Sequence, residues 1–524
     1  MRTTLTVLTS AFAASAMAAD HQRPNILFCI ADDASYHHFS ATGCPWVSTP
    51  AFDRVCAEGV MFRNCYTPNA KSAPSCAIIL TGRYSWQLKE AGNHIANFPA
   101  EYKVFNEALT GQGYRVAFTG KGWAPGNPGT VDGNPRLLTG QPFMERKTDA
   151  PTDKMSGVDY AGNFVDFLDS AGQGPWMFWY GSHEPHRAYA YGSGVSVGGR
   201  STAAIDRVPA FWPDNEVVRN DMLDYGLEIE YFDHHLGLML AELEKRGQLE
   251  NTVIIVTSDN GMPFPRSKST NYEYAHHMPL AVMWPAGISK PGRDVTDYVS
   301  FVDLAPTILE LGQADWTSSG MSPAAGESLV PIFKSTKDGR VIPRRDKLVF
   351  GRERHDYGRP GNQGYPIRGI IRDGWMYINN LKPHLYPAGN PETGYGEIDA
   401  SPTKTEILNL WRSGADRRYY ALSMGIRPAE ELYNLSEDLD CVINLAGDQN
   451  QAGRIKALRT ELYDILRSQG DPRVVGDGDV FDRYGFDTPE KWNFYERVTG
   501  GQIAEPWKQT RWISPTDYDT YKKP

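Results

Sequence analysis

The sequence predicts an α/β protein, in which a mostly parallel central sheet flanked by helices is followed by a smaller antiparallel α+β part. Four short, nearly all-apolar runs support the parallel sheet, because strands buried on both faces have this pattern. From about residue 346 the chain changes to short apolar segments broken by Gly and Pro, which favours an antiparallel sheet. At 524 residues the chain also exceeds the ~250–300 residues that one core usually supports. The four apolar runs are residues 24–31, 114–119, 176–180 and 252–257.

The predicted helices have apolar residues at helical spacing. Residues 222–246 carry apolar side chains at alternating steps of three and four, and Gly247 follows, so an amphipathic helix is expected there. His234 and His235 belong to this helix and are expected to be surface or packing residues. A second helix begins near Ser300, and a third, near residues 452–469, is expected to pack on the antiparallel sheet.

The N-terminus has the pattern of an export signal. Met1-Arg2 precedes an uncharged run from residue 5 to residue 14, and a small-x-small pattern ends at Ala18. We therefore expect residues 1–19 to be a signal peptide and the protein to be periplasmic or secreted. No later run approaches the ~20 apolar residues of a membrane span. The predicted division is then an α/β domain at 20–345 and a C-terminal α+β subdomain at 346–524.

Charge and cysteine content restrict the function classes. The net charge of −10 repels nucleic acid and anionic membranes, so an anionic substrate would need a local cluster of cations. Six cysteines at irregular spacing do not make a disulfide scaffold, and no Cys-x-x-Cys pair suggests zinc. One or two disulfide bridges among Cys44, Cys56 and Cys65 are possible from the sequence.

Acidic side chains follow two of the apolar runs. Asp32 and Asp33 end the first, and Asp259 and Asn260 follow the last. The carboxyl ends of parallel strands meet at one edge of a sheet, so these residues are expected to converge there. Oxygen ligands in this number favour calcium or magnesium over zinc. The alternative is that these residues only end strands or cap helices.

The segment KSAPSCAIILTGR, residues 71–83, is the most specific motif of the chain. With the Asp32-Asp33 strand, the TSDNG run at 257–261 and the ELYNL run at 431–435, it resembles the formylglycine-dependent, type I sulfatases. The resemblance covers roughly residues 23–450 and implies an alkaline-phosphatase-like fold. The run DNGMPFP at 259–265 is most similar to the sulfamidase (heparan N-sulfatase) branch and its bacterial polysaccharide-sulfatase relatives.

The resemblance implies a role for each matching position. Ser72 would be oxidised by a sulfatase-maturing enzyme to formylglycine, whose hydrate attacks sulfur, and the acidic residues would hold one Ca²⁺ ion. Lys121 and Lys268 would contact the sulfate, and His186 would protonate the leaving group. The C-terminal subdomain would add contacts to a sulfated glycan. Further substrate-binding residues are expected among Arg266 (an alternative to Lys268), His183, Trp123, His355 and Arg354.

Cys76 departs from the family pattern, which has Arg four residues after the nucleophile. A thiol has neither the charge nor the hydrogen-bonding fork of Arg. Lys71, Arg83 or Arg266 would have to supply the positive charge that the missing Arg provides in the family. The readings that stay open are a converted Ser72 with a rearranged cation, a substituted or unconverted residue in an active enzyme, and a sulfated-glycan-binding homologue without turnover. A phosphoesterase or phosphonate hydrolase of the same superfamily is the alternative enzyme class, and the sequence does not choose between N-sulfate and O-sulfate.

Overall fold

The computed structural model describes residues 23–519, so the predicted export signal lies outside the described part of the chain. Its central sheet contains eight strands among these residues. In chain order they are β1 (Asn25–Ala31), β2 (Val60–Tyr66), β3 (Arg115–Gly120), β4 (Gln141–Pro142), β5 (Trp176–Gly181), β6 (Thr252–Ser258), β7 (Leu280–Met283) and β8 (Arg293–Ser300).

The strand order across the central sheet is β8-β2-β7-β6-β1-β5-β3-β4. Only β7 is antiparallel to its neighbours, so the sheet is mostly parallel, as predicted. All four apolar runs of the sequence form neighbouring strands, β6-β1-β5-β3. Their carboxyl ends therefore lie side by side at one edge of the sheet.

Helices cover both faces of this sheet. Alternate residues of β1 pack on opposite sides, with Phe28 in one apolar core and Leu27 in the other. The first face is covered by α2 (Ser72–Thr81), α3 (Phe105–Gly111) and α8 (Leu304–Leu311), and the second by α1 (Pro50–Ala57), α4 (Tyr160–Ala171), α6 (Glu216–Lys245) and α10 (Pro402–Ser413). The shorter helices are α5 (Ser193–Ser196), α7 (Glu273–His276), α9 (Val330–Lys334) and α11 (Arg418–Ser423).

A second, smaller sheet lies in the C-terminal part of the chain. Its strands β9 (Lys347–Arg352), β10 (Ile367–Arg372), β11 (Trp375–Asn380) and β12 (Glu430–Asn434) are joined in that order, all antiparallel. Helix α12 (Ala452–Ser468) packs on it through Leu458 and Leu462. Short helices α13 (Pro472–Val475), α14 (Val480–Arg483) and α15 (Phe494–Thr499) follow. The predicted fold class is thus confirmed, whereas the domain boundaries stay a prediction.

Two further observations concern the described residues as a whole. Among residues 23–519 no helix is long and apolar enough to cross a membrane. The six cysteines are free thiols, so the bridges considered for Cys44, Cys56 and Cys65 are not formed. Cys44 and Cys65 are buried in the apolar cores, where they serve as small packing residues.

Candidate functional site

The site forms where the four central strands end. Asp32 follows β1, Asp259 follows β6, His183 lies beyond β5 and Lys121 lies beyond β3. Because these strands are neighbours, residues separated by more than 200 positions in sequence meet at one edge of the sheet. The predicted convergence of the acidic residues is therefore observed.

Three buried carboxylates, those of Asp32, Asp33 and Asp259, form the floor of the site. An oxygen from each lies within 4.8 Å of the others. Asp33 has a backbone φ of 78°, a left-handed conformation that is uncommon outside glycine, and its N–H donates to Asp259 Oδ1 over 2.9 Å. Asn260 Nδ2 donates to Asp33 Oδ1 over 2.6 Å, which leaves the Asn260 side-chain oxygen free to face the site.

The local charges shift the pKa values of these acids in opposite directions. Burial raises the pKa of Asp259 to about 6, and the Asp32 carboxylate beside it adds to this shift. Burial also disfavours ionisation of Asp32, but the positive charge of Lys121 and of other nearby groups lowers its pKa overall. Three carboxylates this close together need a compensating positive charge.

Ser72 is the first residue of helix α2 and lies above the carboxylates. Lys71 before it is extended, with φ −152° and ψ 141°, so the helix starts at Ser72. The Ser72 hydroxyl oxygen is 3.3 Å from Asp32 Oδ1 and 3.4 Å from Asn260 Oδ1. Every residue of α2 is buried, which fixes the position of the helix N-terminus against the acidic cluster.

Two lysines bring positive charge to the carboxylates. Lys121 Nζ lies 2.5 Å from Asp32 Oδ1 and 3.5 Å from Asp259 Oδ2. Lys268 Nζ lies 2.7 Å from Asp33 Oδ2 and 3.0 Å from Asp399 Oδ2. Burial disfavours the charged form of both lysines, but the surrounding carboxylates raise their pKa values well above the ordinary range. Both lysines are therefore protonated at neutral pH.

Above the carboxylates is a cavity of about 640 Å³. Ser72, Lys121, Lys268, His183 and His186 all line it, so the structure brings these predicted residues together. Other side chains of its wall come from the C-terminal part of the chain, namely Asp356, Asp399, Lys491 and Trp512.

The two predicted histidines differ in their surroundings. His186 is half-buried; its Nδ1 lies 2.7 Å from the Arg187 carbonyl oxygen and its Nε2 3.8 Å from Asp33 Oδ2. His183 is exposed, and its backbone N–H donates to the Tyr160 hydroxyl over 3.0 Å. Both belong to the loop after β5, and His186 Nε2 approaches the acidic cluster to within 3.8 Å.

Four residues that the sequence assigned to substrate are held elsewhere, and none of them lines this cavity in the described part of the chain. The Arg266 guanidinium donates to the carbonyls of Leu422 and Cys441 and stacks 3.9 Å from the centre of the Tyr272 ring. Trp123 donates a hydrogen bond to the Ala73 carbonyl in α2, and His355 shares one with the Asn69 side chain, just before α2. Arg354 donates to the carbonyls of Tyr484 and Gly485. All four side chains are buried, and their predicted contact with substrate stays a prediction.

Cys76 lies one helical turn after Ser72 and is buried. Burial raises the pKa of its thiol well above the ordinary value, so it carries no charge at neutral pH. Of the three cations considered as replacements for the usual Arg, Arg83 donates to the Pro323 carbonyl, and Arg266 is bound as described above. Lys71 is the one of the three that lines the cavity, where its Nζ lies 2.7 Å from Asp356 Oδ2.

The sequence did not single out His94, Asp356 or Asp399. Asp356 pairs with both Lys71 and His94, and its Oδ1 is 3.1 Å from His94 Nδ1. Burial lowers the pKa of His94 to about 4, so its ring is neutral at pH 7. These residues lie in irregular segments without a periodic pattern, so no sequence signal marked them.

The described residues thus form an open, mostly parallel α/β sheet with carboxylates, lysines and a helix-terminal serine at one edge. Residues 24–314, more than half of the chain, match the sulfatase family, and the chain belongs to that family. It is therefore a sulfuric ester hydrolase.

Named relatives are sulfatases, and solved structures share the fold. Human N-sulphoglucosamine sulphohydrolase is 27% identical over 501 residues, covering 87% of this chain and 93% of that protein. An ulvan-active sulfatase of Formosa agariphila is 24% identical, covering 88% and 78%. A protein solved with its substrate D-glucosamine-2-N,6-O-disulfate has the same fold, with a TM-score of 0.61 at 20% identity, covering 86% of this chain and 99% of the other. The phosphonate monoester hydrolase of Agrobacterium radiobacter shares the fold too, with a TM-score of 0.58 at 17% identity, covering 86% and 97%.

Proposed function

We propose that this sulfatase removes sulfate from a sulfated polysaccharide or oligosaccharide, with position 72 as the nucleophile and one calcium ion at the carboxylate cluster. The observation that carries the proposal is the position of the Ser72 hydroxyl, within 3.4 Å of both Asp32 and Asn260 oxygens, on the floor of a lysine-lined cavity. A sulfate group entering the cavity would meet this oxygen and the two lysines together.

The residues of the cluster fit a calcium ion. Asp32, Asp33 and Asp259 offer carboxylate oxygens, and Asn260 offers its free amide oxygen, a set of hard ligands. Two lysines do not neutralise Asp32, Asp33, Asp259 and Asp399 together. When bound, calcium would supply the positive charge that neutralises a sulfate oxygen.

Position 72 is suited to a nucleophile because it is held at a helix N-terminus, next to a lysine. The partial positive charge of the helix end favours an anionic oxygen there. Conversion to formylglycine would give this position a hydrated aldehyde, which can release sulfate without a stable ester. A sulfatase-maturing enzyme that accepts serine is the partner implied by this chemistry.

Lys121 and Lys268 are proposed to hold the sulfate. Both are protonated and both face the cavity, so their N–H groups can donate to sulfate oxygens. They are already fixed by carboxylates, and little reorganisation is needed when negative charge moves towards the leaving oxygen. Lys71 is proposed to contribute the third cation at this wall, in place of the Arg that Cys76 replaces.

His186 is the proposed proton donor to the leaving oxygen. The distance of 2.7 Å favours an Nδ1–H group that donates a hydrogen bond to the Arg187 carbonyl oxygen. Nε2 is then the nitrogen that exchanges a proton near the cluster. His183, more exposed on the same loop, is proposed to contact the sugar instead.

Glucosamine-containing sulfated glycans are the proposed substrate class. Human N-sulphoglucosamine sulphohydrolase covers nearly the whole chain in its alignment, and N-acetylglucosamine-6-O-sulfatase of Bacteroides thetaiotaomicron is 26% identical over 430 residues. Asp356, Asp399, Lys491 and Trp512 line the cavity, which supports a contribution of the C-terminal part to substrate binding. Export to the periplasm or medium, where such polymers are found, fits the predicted signal peptide.

Mass spectrometry of the peptide containing Ser72 tests the nucleophile. We would produce the protein with a maturing enzyme that accepts serine, and we expect the peptide mass of serine less two hydrogen atoms. Lys121→Met and the exposed-site control Lys147→Met should both show this mass, because neither change alters position 72. An unshifted serine mass in protein that releases sulfate would contradict the formylglycine assignment while leaving the sulfatase activity intact.

A further inference from the structure

Two histidines and a glutamate form a second cluster of possible metal ligands, apart from the carboxylate floor. His37 lies in a short turn that follows the Asp32-Asp33 segment, Glu273 is the first residue of α7, and His277 follows the last. One ligand atom from each of these residues lies within 4.8 Å of the others. The cluster shares no residue with the carboxylate floor.

We propose that His37, Glu273 and His277 form a second metal site, which takes a divalent transition metal such as zinc. Two imidazole nitrogens and one carboxylate oxygen are a ligand set that zinc accepts, with a fourth position open to water. Calcium prefers sites made of oxygen ligands, so the two sites would select different metals.

The distances between the ligand atoms fit a small ion if the side chains move slightly apart. Glu273 Oε1 lies 2.5 Å from His277 Nδ1 and 3.6 Å from His37 Nε2. Ligand atoms around tetrahedral zinc lie roughly 3.3 Å apart, given metal–ligand bonds of about 2.0–2.1 Å. The observed separations fall on either side of this value.

His37 supplies the strongest single indication. Its Nε2 is buried and has no hydrogen-bond partner among the described residues, because 3.6 Å is too long for a hydrogen bond to Glu273. A buried ring nitrogen without a partner is costly unless something binds it. The His37 side chain is otherwise 18% exposed, so an ion can reach the cluster from solvent.

Outer contacts orient the other two ligands. His277 Nε2 lies 2.9 Å from the Arg63 carbonyl oxygen, to which it donates, while Nδ1 shares a hydrogen bond with Glu273 Oε1. A metal would take the place of the proton between Nδ1 and Oε1, and the Nε2 hydrogen bond would keep the ring oriented. The His277 ring stacks between Tyr36 and Tyr66, with ring centres 3.9 and 4.4 Å away. The Tyr66 hydroxyl donates to the Glu273 carboxylate over 3.3 Å.

A metal here would connect two segments that carry parts of the active site. His37 is joined to Asp33 by three intervening residues, and Glu273 follows the loop that holds Lys268. The bound metal would hold these two loops together and would take no part in the reaction itself.

Zinc titration of chelator-treated protein tests the proposal, in the presence of saturating calcium so that the carboxylate floor is occupied. We expect one zinc ion per chain to be retained after desalting, measured by elemental mass spectrometry. Calorimetry should then give an affinity that falls ~10-fold or more in His37→Ala. His384→Ala, which removes an exposed histidine, is the matched control and should bind zinc as the parent protein does.

Cobalt(II) provides a second readout on the same proteins. Nitrogen ligation at low coordination number gives strong visible absorption bands, which should vanish in His37→Ala and persist in Asp259→Ala, a change confined to the carboxylate floor. Retention of zinc and of these bands by His37→Ala would overturn the proposal, and so would failure of the parent protein to bind zinc.

Discussion

Asp259 is the residue whose ionisation links the site to its metal. In the metal-free protein, burial and the neighbouring Asp32 carboxylate raise its pKa to about 6, above the ordinary value of about 3.9. This group therefore stabilises the fold below pH ~4, and the contribution is lost as the pH rises through about 6. Calcium reverses the preference, because it needs the carboxylate form.

The first prediction is that calcium affinity depends on pH. Because binding must displace the Asp259 proton, the affinity should fall roughly tenfold for each pH unit below about 6 and be level above it. Calorimetric titration at about pH 7 and about pH 5 measures this. Asp259→Asn should bind calcium more weakly and with a flatter pH profile; an equally steep profile in that variant would assign the proton to another group.

At the residue scale, the sequence predicted the convergence of the strand-end residues, but it did not predict which loop residues line the cavity. Asp32, Asp259 and Lys121 follow regular apolar runs, so their convergence could be inferred from strand geometry. Arg266 and Lys268 are two positions apart, yet of the two only Lys268 lines the cavity. Arg266 has a φ of 63°, and its guanidinium is held by the Leu422 and Cys441 carbonyls. Nothing in the residue order gives this turn.

At the element scale, the buried ion pairs of the small sheet are expected to contribute most to its stability. Arg368 on β10 donates to Asp471 over 2.6 Å and to Glu353 over 2.7 Å, and all three side chains are inaccessible to solvent. The network ties the sheet to the start of α13. Removal of the guanidinium would leave the buried Asp471 carboxylate without its ion-pair partner, whereas Glu353 would keep its ion pair with Arg473.

The second prediction compares two arginines of β10. Arg368→Met should lower the free energy of unfolding by about 3–5 kcal/mol, because it leaves the buried Asp471 carboxylate without its ion-pair partner. Arg372→Met, which breaks exposed ion pairs with Glu461 and Asp346, should cost less than ~1 kcal/mol. Chemical denaturation of both variants measures the difference, and equal losses would mean that the buried network contributes no more than a surface pair.

The sequence predicted elements where the pattern was strong. The long helix over 222–246 is observed as α6, which begins six residues earlier, at Glu216, with the Asn215 side chain accepting from the Val218 N–H. The edge strand β4, Gln141–Pro142, had no signal, since two exposed residues carry no burial pattern. Short elements like this one are set by the neighbouring strand rather than by their own residues.

At the scale of the whole molecule, buried histidines make the protein sensitive to acid. Burial lowers the pKa of His38 and His276 to about 3 and that of His94 and His235 to about 4. An unfolded chain takes up protons at these positions below pH ~6.5, whereas the folded protein does not. Stability is therefore expected to fall as the pH drops from about 6.5 towards 4.

The third prediction isolates one of these residues. The His235 ring, on α6, packs against Tyr160 and Tyr231 and belongs to neither proposed metal site. Each buried histidine of this kind changes the free energy of unfolding by ~1.4 kcal/mol per pH unit. The free energy of unfolding should fall less between about pH 6 and pH 5 in His235→Leu than in the parent protein, by up to ~1.4 kcal/mol. Denaturant titrations at the two pH values measure it, with His234→Leu as the control for a leucine on the exposed face of this helix. An unchanged pH slope in His235→Leu would show that burial of this ring does not drive the acid sensitivity.

Sulfate release is the most direct test of the central claim, that the cavity around Ser72 hydrolyses sulfated sugars. Ion chromatography would follow free sulfate from a panel of N- and O-sulfated glucosamine saccharides, with a phosphonate monoester as the competing substrate class. We expect matured protein to release sulfate from at least one saccharide, and Lys121→Met to reduce kcat/KM by ~100-fold or more, whereas Asp338→Ala, at an exposed ion pair, leaves it unchanged. Equal sulfate release by Lys121→Met and the parent protein, or turnover of the phosphonate alone, would contradict the account.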